Sequence, residues 1–181
     1  MKVIPPVIPE VSAAVANAPI TRFVFIGSDG LVQNRLTIEY LVELWAELRP
    51  AVRLHIFGKQ NNAYPATEGV VFEGFVEHVT DVYAPGSIML APSFVRGGVK
   101  TKILEAMSFG NVPVGNDITF EGIQADCSAL VFTEAQLRAL VRDPQSWRQQ
   151  LLAEGALAIE QVQVSHSAER VGAAWAEVVW Q

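Results

Sequence analysis

Cysteine, basic side chains and long apolar runs are all scarce in this 181-residue sequence. Its single cysteine, Cys127, cannot form an internal disulfide, so we expect a cytoplasmic protein with a buried, unreactive thiol. No apolar run approaches the ~18 residues that cross a membrane, which leaves a peripheral position at the inner membrane face open. Asp and Glu number 19 against 13 Lys and Arg, a net charge of −6. An acidic chain is a poor general binder of nucleic acid, because that affinity depends on neutralising many phosphates.

Clustered metal ligands are missing as well. The histidines are His55, expected in the core of a strand, His78, expected at the surface, and His166, expected near a helix cap. No pair of them has the spacing typical of a metal site. We therefore predict no metal and no cofactor.

What the sequence does contain is a regular alternation of short apolar segments and helical patterns. The apolar segments, predicted as six strands, span 21–27, 52–57, 70–72, 87–91, 112–114 and 129–132. The predicted helices span 34–48, 77–83, 99–109, 134–142, 144 to about 162, and 165 to about 180. This alternation indicates an α/β domain, a doubly wound (Rossmann-like) parallel sheet with helices on both faces.

Ligands of such sheets bind at the carboxyl ends of the strands. The loops expected there cover 27–34, 58–65, 74–77, 92–99 and 115–122. None of them carries the glycine pattern of a Walker phosphate loop or of a dinucleotide fingerprint.

The segment 97–105, where the fourth loop leads into a helix, has the features of an anion site. The first N–H groups of this helix, on Val99, Lys100 and Thr101, lack partners within the helix and lie at the positive end of its dipole. The side chains of Lys100 and Lys102 place positive charges at this same end of the dipole, which is unfavourable. A bound anion would compensate these charges. A plain glycine loop followed by solvated lysines explains the same pattern, and spacing alone leaves both interpretations open.

The stretch from Gly98 to Val114 reads Gly-Val-Lys-Thr-Lys-Ile-Leu-Glu-Ala-Met-Ser-Phe-Gly-Asn-Val-Pro-Val and precedes Glu121-Gly122-Ile123. It closely resembles the core motif of GT-B glycosyltransferases of group 1 (retaining, family 4-like), in their carboxy-terminal nucleotide-sugar-binding domain. Those sequences commonly read Gly-Val-Arg/Lys-x-Lys-x-x-Glu-Ala-x-x-x-Gly-x-Pro-Val, followed by Glu-Gly-Leu/Ile. The resemblance covers roughly residues 20–180 and includes a Gly-Ser…Asn loop at 27–34.

The resemblance implies roles by position. The residues implied to hold the donor diphosphate are Lys102, Lys100, Gly98, Val99, Thr101, Gly27, Ser28 and Arg35. Arg35 fits a solvated helix face equally well. Glu105 would bind the ribose, Glu121 would lie near the donor sugar or serve as a plain turn residue, and Phe75 and Val76 would face the base.

One position departs from the family pattern. Many members carry two glutamates seven residues apart, and Glu105 matches the second of them. The first falls at Gly97, which has no side chain to offer. A subgroup with the Gly-Val-Arg/Lys-x-Lys pattern often lacks this glutamate. The departure therefore implies that the donor sugar ring is bound through different contacts.

GT-B enzymes pair two such domains, and the resemblance implies that 21–164 is the donor-binding one. Residues 1–20, rich in proline, would be an extended interdomain linker. Residues 165–181 would pack towards the acceptor-binding amino-terminal domain, with Trp175 and Trp180 in the core or on the covered surface. Such a chain would bind a UDP- or GDP-linked sugar and transfer it, with little activity alone, to a glycan or lipid-linked glycan. The alternatives are a non-catalytic nucleotide-sugar-binding module that completes a split or multi-subunit enzyme, and half of a GT-B-like epimerase.

Overall fold

The computed structural model of the chain describes residues 15–179, except for the side chains at 174, 175 and 177–179. Most of the linker predicted for 1–20 therefore lies outside the described residues, as do Trp180 and the side chain of Trp175. Within 15–179, no helix combines the length and apolar character that a membrane span needs.

Among the described residues, five parallel strands form one sheet, which confirms the predicted α/β class. They are β1 Arg22–Ile26, β2 Arg53–Phe57, β3 Val70–Gly74, β4 Ser87–Leu90 and β5 Val112–Val114. Their order is β3-β2-β1-β4-β5, and every neighbouring pair is parallel. The sixth predicted strand, 129–132, contributes a single bridge between Gly115 and Val131, because the chain turns there through a short 3-10 helix, Ser128–Leu130.

Within 15–179, five α-helices cover the sheet, and the starts of α3 and α4 follow the predicted signals. They are α1 Val32–Leu48, α2 Thr101–Ser108, α3 Glu134–Arg142, α4 Pro144–Ser165 and α5 Ala168–Val179. Thr133 forms a capping box with Gln136 at the start of α3, and Pro144 occupies the first turn of α4. The helix predicted over 77–83 is only a 3-10 turn, Val79–Asp81.

Helix α2 begins two residues later than its sequence pattern predicts. Gly97 and Gly98 have φ angles of 133° and 64°, and Lys100 is extended, with φ −83° and ψ 95°. Only glycine adopts the first two angles without strain. The glycines therefore keep the chain in a loop, and the helix begins at Thr101.

The core lies on both faces of the central strands. Phe23, Leu54 and Met89, on three adjacent strands, are fully buried. Trp45 of α1 packs edge-on against Phe23, with the ring centroids 5.6 Å apart. His55, expected in this core, is half-buried instead, and its Nδ1 lies 2.6 Å from a carboxylate oxygen of Glu73 on β3.

His166, expected near a helix cap, and Cys127, expected to be buried or half-buried, are both buried. His166 is fully buried, and its Nε2 accepts a hydrogen bond from the backbone N–H of Gln124 at 3.3 Å. Cys127 is 5% exposed, and burial, followed by the charge of Asp126, raises the pKa of its thiol to about 11. The thiol is therefore protonated near neutral pH and is a poor nucleophile.

Gly155 of α4 packs directly on β5, and its replacement tests this packing. A Cβ at this position would lie 2.5 Å from Cγ2 of Val112 and 2.9 Å from its Cγ1. Val112 is 1% exposed and stiff at χ1, so it has no room to move aside. We expect Gly155→Ala to lower the free energy of unfolding by about 1–3 kcal/mol, although alanine is the better helix former by about 1 kcal/mol.

Gly172 of α5 is the matched control, because a Cβ there meets no described atom within 4 Å. Gly172→Ala is expected to raise the free energy of unfolding by about 0.5–1 kcal/mol through helix propensity alone. Urea unfolding of both variants measures the difference. Stabilisation by both substitutions would contradict the close contact between α4 and β5.

Candidate functional site

A cleft opens where the strand order reverses, between the carboxyl ends of β1 and β4. One wall is the loop from β1 into α1, and the other is the loop from β4 into α2. Its volume is about 270 Å³, and it is lined by both apolar and polar side chains. This reversal point is where doubly wound sheets bind their ligands.

Lys102 in the first turn of α2 forms the floor of the cleft. Its ammonium lies 4.3 Å above the centre of the Phe25 ring of β1, and it donates a hydrogen bond to Oδ1 of Asn34 at 2.5 Å. Helix α2 has no capping side chain and no acidic residue in its first turn. The positive end of the helix and the ammonium therefore face the same space.

The charge of Lys102 is not neutralised by any carboxylate of the described residues. Within 15–179, no carboxylate lies within ion-pair distance of Nζ, and its contacts are an amide oxygen and an aromatic face. Burial lowers the pKa of Lys102 to about 8. A largely buried cation without a counter-charge costs folding free energy, and an anion bound in the cleft would offset that cost.

Lys100, the second lysine of the motif, is in a different electrostatic environment. Its ammonium donates hydrogen bonds to Oε2 of Glu121 at 3.3 Å and to the carbonyl of Gly98 at 3.0 Å. The same Glu121 oxygen accepts the backbone N–H of Gly97 at 3.1 Å, and Arg96 lies 3.7 Å from the other oxygen. The Gly97 and Lys100 bonds lower the pKa of Glu121. Glu121 therefore neutralises Lys100 and holds the glycine loop in place.

Asn34 of α1 connects the two walls of the cleft. Its amide N–H donates to the carbonyl of Ser28 at 2.8 Å, while its oxygen accepts from Lys102. A Cβ on Gly27 would lie 2.7 Å from the Asn34 amide carbon, so the loop needs glycine there to admit this side chain. The motif resemblance marks Asn34 as part of a loop pattern but assigns it no role.

Asp29 is a second residue that the motif does not single out. It is 4% exposed, and its carboxylate accepts both backbone and side-chain N–H groups of Asn61 and Asn62, and the hydroxyl of Tyr64. Burial alone would raise its pKa, but these hydrogen bonds outweigh it and lower the pKa to about 2. The hydrogen bonds of Asp29 therefore hold the loop after β2 against the loop after β1.

Replacing Asp29 by the isosteric asparagine is expected to lower the melting temperature at neutral pH. A carboxyl whose pKa is lowered by folding stabilises the fold at pH values above its pKa in the unfolded chain. This contribution is lost as the pH falls through about 2, the pKa of Asp29 in the folded protein. The deficit of Asp29→Asn should therefore shrink between pH 4 and pH 2. Thermal unfolding across this range measures it, with exposed Asp81→Asn as the control. A deficit that does not change with pH would contradict the role assigned to the charge.

Glu105 lies one turn after Thr101 on α2, beyond the lysines. Its Oε2 accepts a hydrogen bond from the hydroxyl of buried Tyr83 at 3.1 Å. Burial, followed by the neighbouring charge of Glu105, raises the pKa of Tyr83 far above its usual value. Tyr83 also stacks on Phe109, with the ring centroids 5.5 Å apart. The Glu105 carboxylate is thus fixed in direction and keeps a second oxygen for another partner.

The remaining predicted residues are spread around the cleft. Ser28 and Gly27 lie in the β1–α1 loop, and Gly98, Val99 and Thr101 in the β4–α2 segment. Arg35 does not line the cleft, and its nearest carboxylate is Glu39 at 3.8 Å, one turn further along α1.

Phe75 and Val76, predicted at the base, follow the carboxyl end of β3. Phe75 is 83% exposed, and Val76 is half-buried. They lie beyond β2, on the far side of β1 from the β4–α2 wall. The exposed ring of Phe75 therefore lies at the carboxyl ends of the strands, as the cleft does, but it is not among the residues that line the cleft.

Known proteins share the family and the fold of this chain. A family model described as glycosyl transferases group 1 matches residues 20–153. Sucrose-phosphate synthase from Thermosynechococcus elongatus superposes with a TM-score of 0.72 at 16% identity, over 99% of this chain and 52% of that one. HepE from Anabaena, solved in complex with UDP, gives 0.68 at 14% identity, over 88% and 49%. No curated protein sequence matches.

A third similar structure, the GtfA/B complex, has a TM-score of 0.63 at 17% identity, over 96% of this chain and 38% of that one. At these identities the structures show a shared fold only. The chain spans about half or less of the length of these proteins. The family model, in contrast, covers well over half of this chain and includes the cleft, α2 and Glu121. The chain therefore belongs to the group 1 glycosyl transferases.

Proposed function

We propose that this chain is the donor-binding domain of a glycosyltransferase and that the cleft between β1 and β4 holds the diphosphate of a nucleotide-diphosphate-sugar. The observation that carries the proposal is Lys102, a largely buried ammonium at the start of a helix, with no carboxylate of residues 15–179 within ion-pair distance. A diphosphate supplies the missing negative charge, and its oxygens accept from both the ammonium and the helix N–H groups.

The same groups serve the chemistry of transfer. When the bond between the anomeric carbon and the diphosphate oxygen breaks, the electron pair remains on the departing nucleoside diphosphate. Lys102 and the start of α2 stabilise the negative charge that develops there, in a cleft already organised for it. The acceptor oxygen forms the new bond to the anomeric carbon, and the proton of its hydroxyl is released together with the nucleoside diphosphate.

The other residues take the roles implied by their positions. Glu105, held by Tyr83 through one oxygen, uses its other oxygen for the ribose hydroxyls. Phe75, exposed after β3, offers a ring face to the base. Glu121 acts through the loop it holds, because its carboxylate already binds Lys100 and Gly97.

The acceptor, a glycan or lipid-linked glycan, and the domain that binds it belong to the same proposal. HepE was solved with UDP, and we extend this ligand class to the present chain because the cleft has the matching charge. A transfer reaction needs the acceptor-binding domain as well as this one. Binding of donor without transfer by the isolated chain is the expected behaviour.

Isothermal titration calorimetry with UDP, GDP, UMP and uridine tests the proposal. We expect micromolar binding of UDP or GDP, much weaker binding of the matching monophosphate, and none of uridine, because recognition rests on the diphosphate. Equal binding of UDP and UMP would contradict the diphosphate site. Failure of every nucleotide to bind would overturn the proposed function.

A further inference from the structure

We propose that Asn34 is the positioning residue of the donor site, and that it holds the Lys102 ammonium in place with a neutral acceptor so that the full positive charge remains for the diphosphate. The inference rests on the proposed function and adds to it a residue from the opposite wall of the cleft. It assigns a specific chemical reason for an amide, rather than a carboxylate or a hydroxyl, at this position.

The geometry of Asn34 fixes both ends of its amide. The side chain is 5% exposed, its nitrogen donates to the carbonyl of Ser28 at 2.8 Å, and its oxygen faces the Nζ of Lys102. Because the nitrogen is committed to a carbonyl, the oxygen is the atom that must face the ammonium. Gly27, which has no Cβ to block the amide, supports it from the other side.

A single acceptor orients the ammonium and leaves its other N–H donors for a ligand. An ammonium has three donor positions and one of them is used by Asn34, while the ring of Phe25 lies below. The remaining donors are free to reach phosphate oxygens in the cleft. The flexible lysine stem is thereby held in the conformation needed for binding, which reduces the entropy lost when the anion arrives.

The charge of the acceptor matters as much as its position. A carboxylate at 34 would form a buried ion pair with Lys102, and the site would lose one unit of attraction for a diphosphate. The neighbouring Lys100 shows this outcome, because its charge is already taken up by Glu121. Two lysines two residues apart therefore differ in function: one is neutralised by a carboxylate, and the other is kept as a cation by an amide.

Ligand-free protein tests the contact directly. Lysine-labelled protein is titrated by NMR, following the Cε–Hε signals of Lys102 in the unaltered chain, Asn34→Asp and Asn34→Ala. We expect the Lys102 titration to move to higher pH in Asn34→Asp, which adds a counter-charge, and to lower pH in Asn34→Ala, which removes the acceptor. Shifts in opposite directions distinguish an electrostatic contact from a general loss of structure. Unchanged titrations in both variants would overturn the proposal.

UDP binding provides the second readout, measured by calorimetry at pH 7 beside a thermal unfolding control. Asn34→Asp is expected to weaken binding by roughly tenfold or more, and Asn34→Ala by roughly three- to tenfold. Asn17→Asp makes the same chemical change at an exposed position before β1, where the side chain contacts Arg148, and should leave binding as it is. In the background of Lys102→Met, Asn34→Ala should cause a much smaller loss, because the two residues act as one unit.

The two proposals fail in different ways. If the unaltered chain binds no nucleoside diphosphate, the proposed function is overturned and the NMR titration alone decides whether Asn34 controls Lys102. If UDP binds and Asn34→Asp binds it equally well, the function stands and the assignment of Asn34 is wrong.

Discussion

Replacing Lys102 with methionine is expected to weaken UDP binding by roughly 100-fold, which corresponds to about 3 kcal/mol. The reason is that Lys102 is the cation of the cleft whose charge no described carboxylate neutralises, so it interacts with the diphosphate at full strength. Methionine keeps the length and apolar character of the stem, so Phe25 retains a packing partner. Calorimetry with UDP measures the change.

The matched control is Lys59→Met, which removes one positive charge from the exposed loop after β2, also at the carboxyl ends of the strands. Its UDP affinity should remain within about twofold of the unaltered chain, because exposed charges at a distance are screened. Lys100→Met is an instructive third variant: since Glu121 already neutralises Lys100, its loss should be smaller than that of Lys102→Met. Equal losses in the two cleft variants would contradict the distinction between the two lysines.

Stability should change in the opposite direction from binding. Burial lowers the pKa of Lys102 from 10.5 to about 8, so at pH 7 its charged form disfavours the ligand-free fold. Lys102→Met should therefore raise the free energy of unfolding by about 1–3 kcal/mol. A gain in stability together with a loss of affinity is the signature of a residue kept for function. Loss of both would indicate a structural role instead.

UDP affinity is expected to fall steeply as the pH rises above about 8. Binding requires the protonated form of Lys102, whose pKa in the ligand-free protein is about 8. Below that value the lysine is charged and the affinity is constant. Above it, each pH unit adds about 1.4 kcal/mol for protonation, so the affinity falls about tenfold per unit. From about pH 8 upwards the diphosphate is almost fully ionised, so its own protonation contributes little to this decline.

Other charged groups beside the cleft include Lys100, Arg96 and Glu121, together with Asp117, which pairs with Arg96, and Glu105. Lys102→Met separates their contribution from that of Lys102. The affinity of this variant, although weaker, should vary little between pH 7 and pH 9.5. A similar decline in both proteins would show that a different group controls the pH dependence.

Much of the fold could be predicted because its signals are local. Apolar runs such as 23–26 and 54–57 predict strands, and Thr133 and Pro144 mark helix starts through contacts with residues a few positions away. The sixth predicted strand also fails for a local reason. The segment 129–132 has strand composition, but the chain turns there through the 3-10 helix Ser128–Leu130, so only one bridge forms.

The sequence by itself determined the α/β class, the position of most helices and strands, and the motif from Gly98 to Glu105 with its family. These depend on spacing along one segment of chain. The tertiary structure alone decided which charges are available. Lys102 meets Asn34 from 68 residues away, and Lys100 meets Glu121 from 21 residues away. The strand order brings these partners together, and the charge that a lysine offers to a ligand depends on its burial and its neighbours rather than on its place in a motif.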